Sequence, residues 1–204
     1  MSEERNINAE TDMELELDIN EQRRIRREKL AKLQEMGRDP YKIETWDVTH
    51  HSGDIKDQFD SMEGKEVSIA GRIMAKRQMG KASFIDVQDK QGRIQVYVRQ
   101  DLITPEEYEI FLTYDIGDIV GVVGEVFRTR HEEISVKCHK LVLLCKALQP
   151  LPDKWHGLKD VDLRYRQRYV DLIVNPEVAA LFRKRAEIIH EVKRVLEEDY
   201  GFLE

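Results

Sequence analysis

The chain has 204 residues, which is enough for one medium-sized domain or for a small domain followed by part of another. Hydrophobic residues make up 41% of it and charged residues 36%, and no apolar run approaches the roughly 20 residues that a membrane-spanning helix needs. The net charge of -7 argues against capture of nucleic acid by bulk electrostatics, although local basic patches must be judged separately. The N-terminus has neither the apolar segment of a secretory signal nor an Arg-rich leader, so a cytoplasmic protein without a membrane role is predicted.

The N-terminal region is predicted to contain one helix. Residues 1–19 are acidic and have few apolar side chains, so we expect a disordered tail there. Asn20 is a suitable N-cap for a helix over residues 21–36, because helix formers follow it without interruption. A glycine and then Pro40 would end this helix.

The predicted helix has a narrow apolar stripe and a strongly basic remainder. The residues of the stripe, which would dock the helix, are Ile25, Leu30, Leu33 and Met36. The basic side chains include Arg23, Arg24 and Arg27. They are candidates for weak contacts to an RNA backbone, and an ordinary solvated face is an equally good interpretation. This helix and the loop after it would occupy residues 20–63.

The hydrophobic periodicity changes from 3.6 to 2 in the middle of the chain, which indicates β-strands. Alternation predicts five short strands, with a hairpin turn at Asp89–Gly92 and a helix that Thr104 and Pro105 would open between the third and fourth strands. This order is typical of an OB-fold barrel, here over residues 64–147. The predicted fold class is therefore mainly β with flanking helices (α+β).

Several polar and aromatic side chains share the outward phase of this barrel. Because Ile85 and Val87 must face the interior, Phe84 points outward, and Gln95 and Arg93 do the same on the partner strand. The predicted loop between the first two strands adds the basic side chains Lys76, Arg77 and Lys81. An aromatic face that stacks a base, an amide that reads its edge and cations that hold phosphates together indicate a site for single-stranded RNA.

Each of these features also has an interpretation without a ligand. The N-terminal helix or the loop after Pro40 could cover Phe84, and the basic residues could be ordinary loop charges. The pair His50–His51 lacks further ligands at metal spacing, so no metal site is predicted. Cys138 and Cys145 are expected to be core thiols, and no catalytic motif is present.

The C-terminal part is predicted to be a linker over residues 148–175 and a helix from Pro176 to about Tyr200. The helix has a broad apolar surface, more than a lone terminal helix can bury. The face that we expect to pack against other protein contains Phe182, Ala186, Ile189 and Val192.

Two segments carry a family resemblance. GRIMAKRQMGKASFIDVQDKQGRIQVYV (residues 71–98) resembles the anticodon-binding barrel of bacterial class II lysyl-tRNA synthetases. LPDKWHGLKDVDLRYRQRYVDL (residues 151–172) resembles their interdomain segment more specifically. The resemblance implies that Arg77, Phe84 and Gln95 surround the central uridine of the lysine anticodon, with Phe84 stacking on the base and Gln95 bonding to it. It also implies that Glu133 reads the third anticodon base, with Glu132 as the alternative alignment.

The resemblance further implies what lies at the end of the chain. Residues 176–204 are similar to the start of a class II catalytic domain, whose motif 1 helix forms the homodimer interface. Motifs 2 and 3, which bind ATP, lysine and Mg²⁺, would follow Glu204, so no catalytic residue and no bound cofactor are expected within this chain. The implied partners are tRNA(Lys) and a second copy of the protein, with no DNA.

Two other functions remain compatible with the sequence. The chain could be a standalone OB-fold RNA-binding protein, in which the last helix serves homodimerisation. It could also be a noncatalytic protein-interaction module whose barrel is only a scaffold.

Overall fold

The structure is a computed structural model that describes residues 2–152, 158 and 160–203, with side chains described from Asp18 onward. The chain divides into two compact units, residues 1–150 and residues 151–204. The first unit contains the barrel and the helices that precede it. The second unit is helical.

The first unit is built on a closed barrel of five strands, in the order β1-β2-β3-β5-β4. All neighbouring strands are antiparallel except β3 and β5, which are parallel. This arrangement confirms the predicted OB-fold. The strands are β1 (Glu66–Met79), β2 (Ala82–Gln88), β3 (Arg93–Arg99), β4 (Ile119–Arg128) and β5 (Ile134–Cys145).

The barrel interior is filled by the inward-facing residues of the alternating pattern. Ile85 and Val96 are paired across β2 and β3 and are fully buried, as are Val122 of β4 and Val136 of β5. Burying one such side chain contributes about 1.5–3 kcal/mol, so this core dominates the stability of the unit. Cys138 also lies in this core, and burial raises the pKa of its thiol to about 12. Cys145 is only partly buried, so the prediction of a core thiol is wrong for it.

Strand β1 is longer than the sequence predicted. Its first half pairs with β4 and its second half with β2, with a register shift between Ile73 and Ala75. The strand therefore continues past the bulge, and the turn comes only at Gly80, whose φ of 61° favours glycine. As a result Lys76 and Arg77 lie on β1, and the prediction that they belong to a loop is wrong.

The helix α4 (Pro105–Leu112) connects β3 and β4, as predicted. Thr104 Oγ1 accepts a hydrogen bond from Glu107 N, and Thr104 N donates to the Glu107 carboxylate. This reciprocal capping box, with proline at the first helical position, explains why the helix begins there.

The helix α1 spans Ser2–Glu35 and thus begins far upstream of Asn20. The interval that was predicted as a disordered tail is helical from Ser2. Residues 2–18 contain neither glycine nor proline, and Glu3 and Glu4 lie in the first turn, where the helix dipole favours negative charge.

The face by which α1 contacts the barrel also differs from the predicted stripe. Leu33 is buried, but Ile25 and Met36 are exposed. Instead, the buried Arg26 donates hydrogen bonds to the carbonyl oxygens of Ala147 and Gln149, at 3.0 and 3.2 Å. Hydrophobic periodicity alone did not reveal this face, because it includes the polar contacts of Arg26 as well as the apolar contact of Leu33.

A short helix, α2 (Ser52–Asp57), is held by the turn between β2 and β3. Ser52 donates to Asp89 through both its backbone N and its Oγ, each at 2.6 Å, and the same carboxylate accepts from the backbone N atoms of Gln91 and Gly92. The helix α3 (Phe59–Met62) follows. These contacts fix the position of α2 beside the barrel.

The second unit consists of α5 (Val161–Arg166), α6 (Arg168–Val174) and α7 (Pro176–Arg194), followed by a π-helical turn over Val195–Asp199. Part of the segment predicted as a linker is therefore helical, and residues 153–157 and 159 of it lie outside the described residues. The fully buried Asp171 accepts hydrogen bonds from Arg164, Arg168 and Asn175, which ties α5 to α6.

The last helix leaves most of its apolar surface open. The exposed apolar residues of α7 and of the residues after it include Leu181, Ile188, Ile189, Val192, Leu196 and Phe202. None of the described helices has the length and apolar character needed to span a membrane.

Candidate nucleic-acid interface

A surface cleft of about 530 Å³ lies on the outside of the barrel and contains half of the predicted RNA-contacting residues. Residues of α2, β1, β2, β3 and the turn between β4 and β5 line it. The structure brings together five of the predicted site residues there: Arg77, Phe84, Arg93, Gln95 and Glu133. The other lining residues were not predicted to belong to the site: Lys56, Met79, Asp86, Ile94, Thr129 and His131.

Phe84 provides the aromatic surface of the cleft. It occupies an outward position of β2, directly paired with Arg77 on β1 and with Tyr97 on β3. The centroids of the Phe84 and Tyr97 rings are 5.0 Å apart, so the neighbouring strand holds the phenylalanine from one side. Phe84 is therefore only half-buried, and its packing partner is Tyr97.

Arg77 lines the same cleft as Phe84 and pairs with it in the β1–β2 ladder. Its Nη2 atom is 3.3 Å from Asp86 Oδ1, and both side chains are partly exposed. An exposed pair of this kind stabilises a protein by less than about 1 kcal/mol, so the arginine can exchange its carboxylate partner for a ligand phosphate at low cost. Arg93 lines the same cleft, and its Nε atom donates to Gln88 Oε1 at 2.8 Å.

Gln95 is held from behind by a buried serine. Gln95 and Ser135 are paired in the parallel β3–β5 ladder, and Ser135 Oγ donates to Gln95 Oε1 at 3.1 Å. The side-chain amide of Gln95 is thus fixed on the wall of the cleft.

The turn between β4 and β5 places Glu133, not Glu132, in the cleft. Glu132 occupies the left-handed region with φ 62°, and its carboxylate pairs with Arg128 at 3.0 Å. The Glu133 carboxylate lies 3.7 Å from the ammonium of Lys56 on α2. The turn itself is closed by a hydrogen bond from Thr129 N to the Glu133 carbonyl, at 3.0 Å.

Lys76 is not part of the cleft. Its ammonium donates to the carbonyl oxygens of Phe111, Leu112 and Tyr114, and burial lowers its pKa to about 8. The side chain thereby satisfies free carbonyls at the C-terminal end of α4. We therefore withdraw Lys76 from the candidate RNA contacts, because its side chain points to the opposite face of β1 from Arg77.

The remaining basic candidates lie outside the cleft. Lys81 is exposed in the turn after β1. On α1, Arg23 donates to Asn20, Arg24 pairs with Glu21, and Arg27 is exposed. The structure does not bring these arginines to the cleft.

The described residues contain no group of three or more His, Cys, Asp or Glu side chains that could hold a metal ion. The cleft instead offers groups suited to base and phosphate recognition: an aromatic ring, an amide, two carboxylates, two guanidinium groups and an ammonium group. An OB barrel that carries these groups on its outer face is typical of domains that bind single-stranded nucleic acid.

Comparison with known families also indicates an OB-fold nucleic-acid-binding domain, and comparison with individual proteins identifies a more specific group of relatives. The profile of the family described as "OB-fold nucleic acid binding domain" matches residues 67–144. A lysine–tRNA ligase of Moorella thermoacetica is 56% identical over 192 residues, which are 94% of this chain and 39% of that protein. The corresponding ligase of Thermoanaerobacter pseudethanolicus is 54% identical over 92% of this chain and 37% of its own length.

The chain is homologous to the N-terminal region of lysyl-tRNA synthetases, and its barrel corresponds to their OB-fold anticodon-binding domain. It spans less than two fifths of the length of these relatives. The similarity therefore does not assign the activity of a whole synthetase to this chain.

Proposed function

We propose that this chain binds the anticodon loop of tRNA(Lys) through the cleft that contains Arg77, Phe84, Gln95 and Glu133. The observation that carries the proposal is the position of Phe84, a half-buried ring that is backed by Tyr97 and borders an open cleft. A ring in this setting can stack on an unpaired base, which contributes roughly 1–3 kcal/mol for each base.

Polar groups around the ring support recognition of particular bases. The Gln95 amide and the Glu133 carboxylate are in the same cleft as Phe84, and hydrogen bonds or ion pairs hold both of them. Glu133 offers only acceptors, so it suits a base edge that presents an N–H group. Gln95 would bond the edge of the base that stacks on Phe84.

The cations of the cleft compensate for the overall negative charge of the chain. Arg77 and Arg93 line the cleft and Lys81 follows the end of β1, so phosphates on either side of a bound base would meet positive charge. The arginines of α1, Arg23, Arg24 and Arg27, are weaker candidates for contacts to more distant phosphates.

Within a whole synthetase, the chain would serve the ATP-dependent attachment of lysine to tRNA(Lys) in the cytoplasm. ATP and Mg²⁺ would act in the remainder of that protein, and no residue of this chain is assigned a catalytic role. The exposed side of α7 around Ala186, Ile189 and Val192, with the partly buried Phe182, would then pack in a homodimer interface.

The experiment that tests the proposal is binding of this chain to an anticodon stem-loop with the sequence UUU, against a GUC stem-loop at the same moderate salt concentration. We expect a clear preference for UUU. Phe84→Ala should weaken binding of UUU by roughly 5- to 100-fold, because a stacked base loses its aromatic partner. Tyr200→Ala is the matched control, since Tyr200 is an exposed aromatic residue of the second unit.

Other outcomes would favour other functions. Equal and salt-sensitive binding of both stem-loops would indicate a general RNA-binding barrel. No binding of either stem-loop would contradict the proposal and favour a protein-interaction module.

A further inference from the structure

The chain leaves the barrel through residues 146–149, a short stretch without helix or strand that we call the exit segment. It follows β5, which ends at Cys145, and it directly precedes the boundary between the two compact units, after Pro150. Backbone polar groups outside regular secondary structure must find other partners or remain open to water. Three distant parts of the chain supply such partners for the exit segment.

The turn between α4 and β4 holds the buried end of the exit segment. The ammonium of the buried Lys146 donates to the carboxylate of Asp115 at 2.6 Å and to that of Asp118 at 2.7 and 3.0 Å. The fully buried Asp118 also accepts a hydrogen bond from Ala147 N at 2.8 Å. Burial by itself would raise the pKa of the Asp115 carboxyl, but hydrogen bonds from Lys146 and Lys29 lower it below 3.8. These contacts are therefore ion pairs at neutral pH.

The helix α1 and the residues just after it hold the carbonyl oxygens of the exit segment. Arg26 on α1 donates through Nη1 to Ala147 O and Gln149 O, at 3.0 and 3.2 Å. Tyr41 donates through its hydroxyl to Lys146 O at 3.0 Å. Three carbonyl oxygens of the exit segment thus accept hydrogen bonds from residues that precede the barrel in the sequence.

The docking of α1 on the barrel depends on a few contacts along one face. Leu33 is buried there, whereas Ile25 is exposed. Lys29, three residues after Arg26 and on the same face, forms an ion pair with Asp115 at 2.5 Å. An element with few buried apolar contacts is expected to open locally at a lower free energy than the core of its domain.

We propose that α1 is a latch on the exit segment. While α1 is docked, Arg26 holds residues 147–149 in one conformation, and when α1 opens locally these residues gain freedom although the barrel stays folded. Asp118 keeps its contacts to Lys146 and Ala147 in that opening, because neither contact involves α1. The freedom of the chain where it leaves the barrel is then controlled by a peripheral helix.

Amide hydrogen exchange of the 204-residue chain tests the latch, with Ala147 N as the main reporter. This group is bonded to Asp118 and not to Arg26, so faster exchange in Arg26→Met reports freedom of the exit segment and not loss of the measured bond. The opening that exposes Ala147 N also separates Ala147 O from Arg26. Arg27→Met is the matched control, since Arg27 is the next residue of α1 and is exposed.

We expect Arg26→Met to speed the exchange of Ala147 N by roughly 10- to 100-fold, because the opening no longer breaks hydrogen bonds from a charged donor. The heteronuclear NOE of Leu148 and Gln149 should fall as their fast motion increases. The amide protons of the barrel strands should exchange as in the wild-type chain, and Arg27→Met should exchange as the wild-type chain at every position.

Lys29→Met tests the same latch if Arg26→Met does not fold. Lys29 is partly exposed and makes its ion pair with Asp115, so the change weakens the docking of α1 without removing a contact to the exit segment. The latch predicts that Ala147 N exchanges roughly two- to fivefold faster in this variant. A direct effect through Asp115 would have the opposite sign, because that carboxylate would be left to Lys146 alone.

Unchanged exchange of Ala147 N in the folded variants of Arg26 and Lys29 would overturn the latch. Equal acceleration across the barrel strands would also overturn it, because α1 would then support the whole barrel and not the exit segment in particular. The same acceleration in Arg27→Met would do so too, since the effect would not depend on the contacts of Arg26. No RNA is used, so the result is independent of the proposed function.

Discussion

The guanidinium of Arg77 lies 3.3 Å from the carboxylate of Asp86, on the side of the barrel where Phe84 borders the cleft. A phosphate that approaches Phe84 must compete with the Asp86 carboxylate for the Arg77 guanidinium. We therefore predict that Asp86→Asn strengthens binding of the UUU stem-loop by roughly two- to fivefold at low salt.

The gain in affinity should decrease as the salt concentration rises, because it depends on charge. Glu197→Gln removes one negative charge from the second unit and serves as the control for net charge. Weaker binding by Asp86→Asn would mean that Asp86 orients Arg77 rather than competing for it.

Lys76 and Arg77 are neighbours in the sequence, but we predict different effects for them. Lys76→Met should leave RNA affinity unchanged and lower the free energy of unfolding by about 1–3 kcal/mol, because carbonyl oxygens at the end of α4 lose their donor. Arg77→Met should weaken RNA binding and leave stability nearly unchanged. Denaturant unfolding and stem-loop titration of both variants would check this, and weaker RNA binding by a folded Lys76→Met would contradict it.

The pH dependence of stability gives a second test of the Lys76 environment. Burial lowers the pKa of Lys76 from 10.5 to about 8, so between these values the unfolded chain holds a proton that the folded chain has released. Stability linked to this residue therefore rises as the pH increases from about 8 to 10.5. Lys76→Met should remove that part of the slope, whereas Lys81→Met, at an exposed position, should keep it.

Asp89 is predicted to control the attachment of α2. Burial by itself would raise the pKa of this carboxyl, but hydrogen bonds from Ser52, Gln91 and Gly92 lower it below the ordinary 3.8. The stabilisation is thus present above pH 3.8 and is lost as the pH falls through the lower folded-state pKa.

Asp89→Asn should lower the free energy of unfolding at neutral pH by about 1–3 kcal/mol, since one of the two acceptor oxygens becomes a donor. It should also flatten the loss of stability below pH 3.8. Asp60→Asn, on the exposed surface of α3, is the control. Equal acid sensitivity of the wild-type chain and Asp89→Asn would contradict this account.

The parts of the fold that the sequence predicted correctly depend on local pattern. Alternation of apolar residues located the barrel strands and the outward phase of Phe84 and Gln95, and Thr104 with Pro105 located the start of α4. These features depend on a few neighbouring residues, so they can be predicted without knowledge of the fold.

The parts that were missed depend on contacts between distant segments. Lys76 contacts the end of α4, and the sequence does not show that this end lies beside β1. Lys56 reaches the cleft because hydrogen bonds between Ser52 and Asp89 hold α2 beside the barrel. Ser135 gave no signal, because a serine at the start of a strand is ordinary until its partner Gln95 is known. The docking of α1 through Arg26 was missed for the same reason.

The most direct measurement of the central claim is an NMR titration of the isotope-labelled chain with the UUU stem-loop. We expect saturable shifts of the backbone amide signals of Arg77, Phe84, Gln95 and Glu133, with much smaller shifts in the second unit. Shifts confined to the arginines of α1 or to α7, with the signals around Phe84 unchanged, would contradict the claim that this cleft is the anticodon-binding site.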